Sequence, residues 1–284
     1  MSHPMLIEAD ELLEISDLIL FDCRFSLMDP EAGQAAYTQG HIPGAYFLDL
    51  NRDLSGPLAV HGGRHPLPDP GQFAALLSRY GVGRDSQVVA YDDSRQAGGA
   101  RLWWLMRALG YRAPRLLNGG YAAFLQAGGQ PEQTVPARPG AAQPYAAKPG
   151  MVEPDAAQPA DTQFSGYCDI EALRALQADN ALLVDSREER RYLGLEEPID
   201  PVAGHIPGAI NRPWVNVTDE QGRVRDAATL QQHWGDAFDA NDLVVYCGSG
   251  VTACVNLFSL ALLGREDAVL YAGSWSDWCS HLPS

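Results

Sequence analysis

Lysine is almost missing from this chain. Of its 20 basic residues only Lys148 is lysine, and arginine does the remaining cationic work. An arginine inside a pocket is therefore worth notice. Positive charge is scarce altogether, since 36 acidic residues leave a net charge of −16. Such a surface repels nucleic acid and anionic membrane, and both are set aside as partners. No apolar run is long enough to span a bilayer. The opening residues, MSHPMLIEADELLEISD, lack the basic start and apolar run of a signal peptide. The expected setting is reducing and cytoplasmic. Five cysteines, Cys23, Cys168, Cys247, Cys254 and Cys279, form an odd set with no close Cys-x-x-Cys pair. That spacing suggests neither metal binding nor dithiol redox work, so no metal and no cofactor is expected.

Apolar side chains are plentiful, at 46% of 284 residues. Sizeable cores are within reach, and the length fits two domains better than one. An internal repeat marks the division. Gly40-His-Ile-Pro-Gly-Ala45 recurs as Gly204-His-Ile-Pro-Gly-Ala209. Leu20-Phe-Asp-Cys-Arg24 matches Leu183-Val-Asp-Ser-Arg187, and Val88-Val-Ala-Tyr-Asp92 matches Leu243-Val-Val-Tyr-Cys247. Leu116-Leu-Asn-Gly-Gly-Tyr121 matches Leu270-Tyr-Ala-Gly-Ser-Trp275. The matches keep one order, as a duplicated domain requires.

Each copy reads as α/β. In the first, apolar patterning predicts strands over 19–22, 45–48, 88–91 and 115–117. Helices are predicted over 72–80 and 101–109, the latter strongly apolar with Trp103 and Trp104. Alternation of this kind argues for a mainly parallel sheet flanked by helices in each domain. Sites form at the ends of such strands. The domains are expected over 1–129 and 164–284. Between them, residues 130–163 are rich in Pro, Ala, Gln and Gly and read as an extended linker lying on the surface.

The repeat also separates architecture from chemistry. Features in both halves build the fold, and features in one half are candidates for function. His41 and His205 repeat inside the same Gly-His-Ile-Pro-Gly turn, so tying that turn is the preferred role. Asp22/Arg24 and Asp185/Arg187 also repeat, and a buried brace is the preferred reading. At one strand end the halves differ. The second has Cys247 followed by Gly248, Ser249, Gly250, Val251 and Thr252, and the first has Asp92. Beyond Thr252 a helical pattern begins, with Val251, Val255, Phe258 and Leu262 on one face and Gly264 as its stop. A buried strand thus delivers Cys247 to a tight loop at a helix start, where inward N–H groups stabilise a thiolate. The expected product is a nucleophilic cysteine in the second domain, with the first a non-catalytic copy walling off the pocket.

These residues resemble the tandem-domain rhodanese-type sulfurtransferases. The resemblance covers nearly the whole chain outside the linker. Cys-Gly-Ser-Gly-Val-Thr is similar to the 3-mercaptopyruvate branch, since the thiosulfate branch carries basic residues in that loop. The resemblance implies a double displacement. Cys247 takes a sulfur from the donor as a persulfide, and cyanide or a thiol then removes it. A thioredoxin-like reductant is an acceptor it allows. Arg191 matches the arginine that binds the donor's anionic end. Where the mercaptopyruvate branch has a second arginine, this chain reads Glu197-Pro-Ile-Asp200, so another arginine must serve or carboxylate binding is weakened. The branch's proton relay aligns an acid with Asn51, a histidine with His65 and a serine with Ser249. Asn51 cannot exchange protons as a carboxylate does. His65 otherwise reads as a solvated loop histidine near His61. Phe25 falls where an aromatic lies near the cysteine, or is simply core.

Two other classes compete. A phosphatase or arsenate reductase would need an arginine in the loop to clamp the oxyanion, and none follows Cys247. A non-enzymatic binding module would have no use for Cys247, Arg191 and the glycine-rich loop together. Within sulfur transfer, mercaptopyruvate is favoured as donor over thiosulfate.

Overall fold

The computed structural model describes residues 3–16, 18–136 and 162–282. The first half holds β1 (Leu6–Ile7), α1 (Ala9–Glu14), β2 (Ile19–Asp22), α2 (Ala32–Gln39) and β3 (Tyr46–Phe47). It continues with α3 (Pro70–Arg79), β4 (Val88–Tyr91), α4 (Ala97–Ala108), β5 (Arg115–Leu117) and α5 (Gly120–Gln126). The second half repeats the order: β6 (Tyr167–Cys168), α6 (Ile170–Ala178), β7 (Leu182–Asp185), α7 (Glu189–Tyr192) and β8 (Ile210–Asn211). Then come α8 (Ala227–Trp234), β9 (Leu243–Tyr246), α9 (Ala253–Leu262), β10 (Val269–Tyr271) and α10 (Ser274–Ser280). Each half forms a five-stranded sheet, β1-β5-β4-β2-β3 and β6-β10-β9-β7-β8. Every strand pair is parallel. The sequence expectation of two parallel α/β sheets holds.

The middle strands β4 and β9 are buried at every position. Covered on both faces, they need continuous apolar runs rather than alternation. Three of the predicted elements change their bounds. The strand expected over 45–48 pairs with β2 only at Tyr46 and Phe47. Helix α3 begins at Pro70 because Asp69 caps it, accepting from the Gln72 N–H at 2.8 Å. Helix α4 begins at Ala97, four residues before the predicted start. Its first turn contains Gly98, where a Cβ would run into the Cys23 carbonyl oxygen. Close packing, not helix propensity, selects glycine there.

The repeated motifs are braces. Asp22 accepts from Arg24 Nη2 at 2.6 Å and from Tyr91 Oη at 2.8 Å, and Arg24 also donates to the Gly40 carbonyl. Asp185, Arg187 and the Gly204 carbonyl repeat this. His41 stacks on Tyr37 and His205 on Tyr192, each ring nitrogen meeting its partner's carbonyl.

The two halves share a core. Helices α4 and α9 pack together, with Trp103 edge-on to Phe258 at 5.2 Å. One apolar cluster runs through both inner faces, and each half keeps a separate cluster on its outer face. Of the expected linker, Glu132 pairs with His41 as an antiparallel bridge, and Phe164, just past it, packs on Phe73 and Trp104. Residues 137–161 lie outside the described residues. Among the described residues no helix is long and apolar enough to cross a membrane.

Candidate active site

Cys247 sits at the C-terminal end of β9, buried to 1% exposure. Its backbone N–H donates to Ser274 Oγ at 3.1 Å, and its carbonyl accepts from the Trp275 N–H at 3.0 Å. Ser274 holds a positive φ of 57° to do this. A non-glycine residue in that region carries strain, which the surrounding bonds must hold in place. The loop from Gly248 to Thr252 then turns into α9. The Gly250 N–H points at Cys247 Sγ, 3.2 Å away. Gly250 has φ 77°, and a Cβ there would meet the Ala272 carbonyl oxygen. Only glycine lets the chain curl back onto the sulfur. Among the described residues, the N–H groups of Gly248, Ser249, Val251 and Thr252 have no acceptor. Four loop N–H groups without an acceptor, in the five residues that follow the thiol, are the makings of an anion cradle.

The first half shows the same cradle filled. Asp92 turns its own carboxylate inward and accepts from the N–H groups of Ser94, Gln96 and Gly99 at 2.9–3.0 Å. Burial still pushes its carboxyl up to about 6, because three N–H donors do not fully replace water.

The site is completed from the other half. The loop leading into α3 crosses to α10, where the Gly62 N–H donates to Asp277 Oδ1 at 2.7 Å and the Arg64 N–H to Ser276 Oγ at 3.0 Å. His61 stacks on His281 at 4.0 Å. Pinned so, the loop places His65 Nδ1 2.7 Å from Ser249 Oγ. His65 is buried, not solvated. Burial, then the charges of Arg101 and Arg64, push its imidazole down to about 3, so the ring is neutral at physiological pH.

Two guanidinium groups cover the loop. A Cβ on Gly248 would lie 3.1 Å from Arg64 Nη2 and 3.5 Å from Arg191 Nη1. Arg64 Nη1 pairs with Asp200, and Arg191 Nη2 with Glu197 at 2.6 Å and Asp200 at 3.3 Å. Those carboxylates fix the outer edges of both forks and leave the Gly248 edges without an acceptor among the described residues. Burial lowers the Arg64 basicity, while the Cys247 sulfur and Glu197 raise it. Below the loop Arg101, fully buried on α4, donates from Nη1 to the Gly250 carbonyl at 3.0 Å and from Nη2 to the His65 carbonyl at 3.1 Å.

Of the residues singled out in the sequence, Cys247, the 248–252 loop, Arg191 and His65 thus meet. Asn51 does not. It is exposed in the turn after β3, where its own N–H donates to Asp49 Oδ1, and no hydrogen bond joins its side chain to His65. That turn folds back on itself, the Asp49 N–H donating to Asp53 Oδ2 and the Asn51 N–H to Asp49 Oδ1. Phe25 is half-buried against the shared core to which Cys247 belongs. Arg64 and Arg101 were missed. The signal for both was the arginine-only cation set, with Arg64 beside His65 and Arg101 inside an apolar helix.

Comparison with known proteins finds relatives over nearly the whole chain. A family model for the rhodanese-like domain matches twice, over residues 6–127 and 169–281. A probable 3-mercaptopyruvate sulfurtransferase of Pseudomonas aeruginosa is 43% identical over 288 residues, spanning 98% of this chain and 96% of that one. A thiosulfate sulfurtransferase of Cricetulus griseus is 32% identical over 256 residues, 87% of this chain and 80% of that one. The crystal structure of SseA from Escherichia coli, described as a 3-mercaptopyruvate sulfotransferase, superposes with a TM-score of 0.77 at 27% identity. It covers 95% of this chain and 98% of that one.

Proposed function

Because this chain belongs to the rhodanese-like family and is a sulfurtransferase like its relatives, we propose that its donor is 3-mercaptopyruvate and its sulfur carrier Cys247. Residues 164–284 carry the nucleophile, residues 1–129 complete the pocket, and 130–163 connect them. The observation that carries the donor assignment is the pair of free guanidinium edges, Arg64 Nη2 and Arg191 Nη1, converging over Gly248. A planar carboxylate fits two such edges, and the loop adds no cation of its own that would favour thiosulfate.

In the reaction the Cys247 thiolate attacks the donor's thiol sulfur, and the sulfur–carbon bond breaks. The sulfur–sulfur bond forms, the electron pair leaves on the pyruvate methyl carbon, and the thiol proton ends on that carbon. Ser249 and the neutral His65, 2.7 Å apart, are placed to pass that proton. The persulfide anion takes up the free loop N–H groups. Cyanide or a thiol, in the cell a thioredoxin-like reductant of the cytoplasm, then attacks the outer sulfur and returns the thiolate.

Incubation with mercaptopyruvate should add the mass of one sulfur to Cys247, and Cys247→Ser should abolish both that mass and turnover. Arg64→Met and Arg191→Met should each lower kcat/KM for mercaptopyruvate by roughly 10–100-fold, the loss of one charged hydrogen-bonded contact. Equal or better turnover of thiosulfate by the wild type, with both arginine variants unimpaired on mercaptopyruvate, would reject the assignment.

A further inference from the structure

Arg101 is an oddity of electrostatics. Its side chain is wholly buried. It donates to carbonyl oxygens, Leu54 from Nε at 3.3 Å, His65 and Pro66 from Nη2 at 3.1 and 3.3 Å, and Gly250 from Nη1 at 3.0 Å, and also meets the Cys254 side chain. Among the described residues no carboxylate pairs with it. The braces Arg24 and Arg187, buried almost as deeply, each have an aspartate at 2.6 Å. A buried cation without a counter-charge is costly, and folds retain one only when something compensates.

The groups near it that can become anionic are two thiols, Cys254 and Cys247. Cys254 donates its own proton to the Gly250 carbonyl at 3.3 Å, and burial pushes its thiol up to about 12 even beside the guanidinium. It stays neutral. Cys247 is left. Arg101 also binds the carbonyl of the peptide joining Gly250 to Val251, whose N–H is one of the free loop donors. A cation on the oxygen of a peptide strengthens the N–H at its other end.

The duplication supplies a control. At the matching place on α9 stands Asn256, a neutral residue that donates to Ser186 Oγ at 2.9 Å and the Arg212 carbonyl at 2.7 Å. Both halves therefore tether loops from this helical position. Only the copy beneath the sulfur-bearing loop does so with a charge.

We propose that Arg101 is the counter-charge of the sulfur held on the Cys247 loop, supplied across the domain boundary by the half whose own loop has no cysteine. It touches no substrate and is a positioning residue acting through the loop. The idea rests on the reading of Cys247 as a thiolate that becomes a persulfide, and deepens it. The first domain then supplies the charge against which the nucleophile ionises, besides walling the pocket.

The test is the pH dependence of iodoacetamide alkylation at Cys247, followed by intact mass in a Cys254→Ala background, for Arg101, Arg101→Lys and Arg101→Met. The methionine variant should move the ionisation midpoint up by about one to two pH units, slowing alkylation at neutral pH about 10–100-fold. The lysine variant, which keeps charge and loses geometry, should stay within about half a unit. Arg101→Gln replaces the methionine variant if the latter does not fold. An unchanged midpoint in the uncharged variants overturns the proposal, as does an equal shift in the lysine variant, which would mean loop placement rather than charge. Sulfur loading of the wild type by mercaptopyruvate is measured alongside. If it fails while the midpoints behave as stated, the sulfur-transfer reading falls and the counter-charge stands.

Discussion

The imidazole of His65 is kept neutral by its surroundings, and that has a cost in acid. Its folded value of about 3 lies below that of an unfolded histidine, 6.5. A base depressed on folding adds stability that is complete above its unfolded value and is lost as pH falls toward the folded one. Thermal melting should therefore weaken progressively between about pH 6.5 and pH 3, and His65→Gln should flatten that slope. A slope unchanged by the substitution, in melts monitored by circular dichroism, would contradict the burial argument. At this scale the sequence pointed to the proposed nucleophile, because an apolar strand ends at Cys247 in one copy and at Asp92 in the other. It showed His65 and Arg191 only through resemblance. Arg64 and Arg101 stayed hidden, since neither lies in a repeated motif and what makes each matter is a partner far along the chain.

At the scale of elements, strands were easier to read than helix starts. The central strands are uniform apolar runs, and their bounds fell where expected. The start of α4 did not, because its glycines look like helix breakers. Gly98 is there for contact. Alanine is the better helix former by about 1 kcal/mol, yet Gly98→Ala puts a methyl group into the Cys23 carbonyl oxygen. The substitution should destabilise the protein by roughly 1–3 kcal/mol, the usual range for overpacking. Urea melts would show it as a lower midpoint at constant slope, and a stabilised variant would mean that β2 and α4 can move apart freely.

For the whole molecule, the duplicated pattern gave two domains and their order, but not their embrace. Inner faces that pack on one another look in sequence like any apolar helix. In the structure they merge into one core, and the candidate site takes Arg64, His65 and Arg101 from one half and Cys247, Ser249 and Arg191 from the other. Residues 164–284 produced alone should bind a hydrophobic dye through the bared face of α9 and lose sulfur transfer by at least about 100-fold. Full turnover by that fragment would show the first half to be dispensable.

The filled cradle of the first half has a further meaning when bonds are counted along the side chain. From Cβ of Asp92, one atom intervenes before the carboxylate oxygens. From Cβ of Cys247, one sulfur intervenes before the outer sulfur of the proposed persulfide. The two anions have the same reach. The N–H groups on the Asp92 oxygens belong to Ser94, Gln96 and Gly99; of the matching positions after Cys247, Ser249 and Val251 keep N–H groups that are free among the described residues, while the Cys254 N–H donates to the Val251 carbonyl. The protein thus carries in one copy an unreactive carboxylate with the reach of the persulfide proposed for the other.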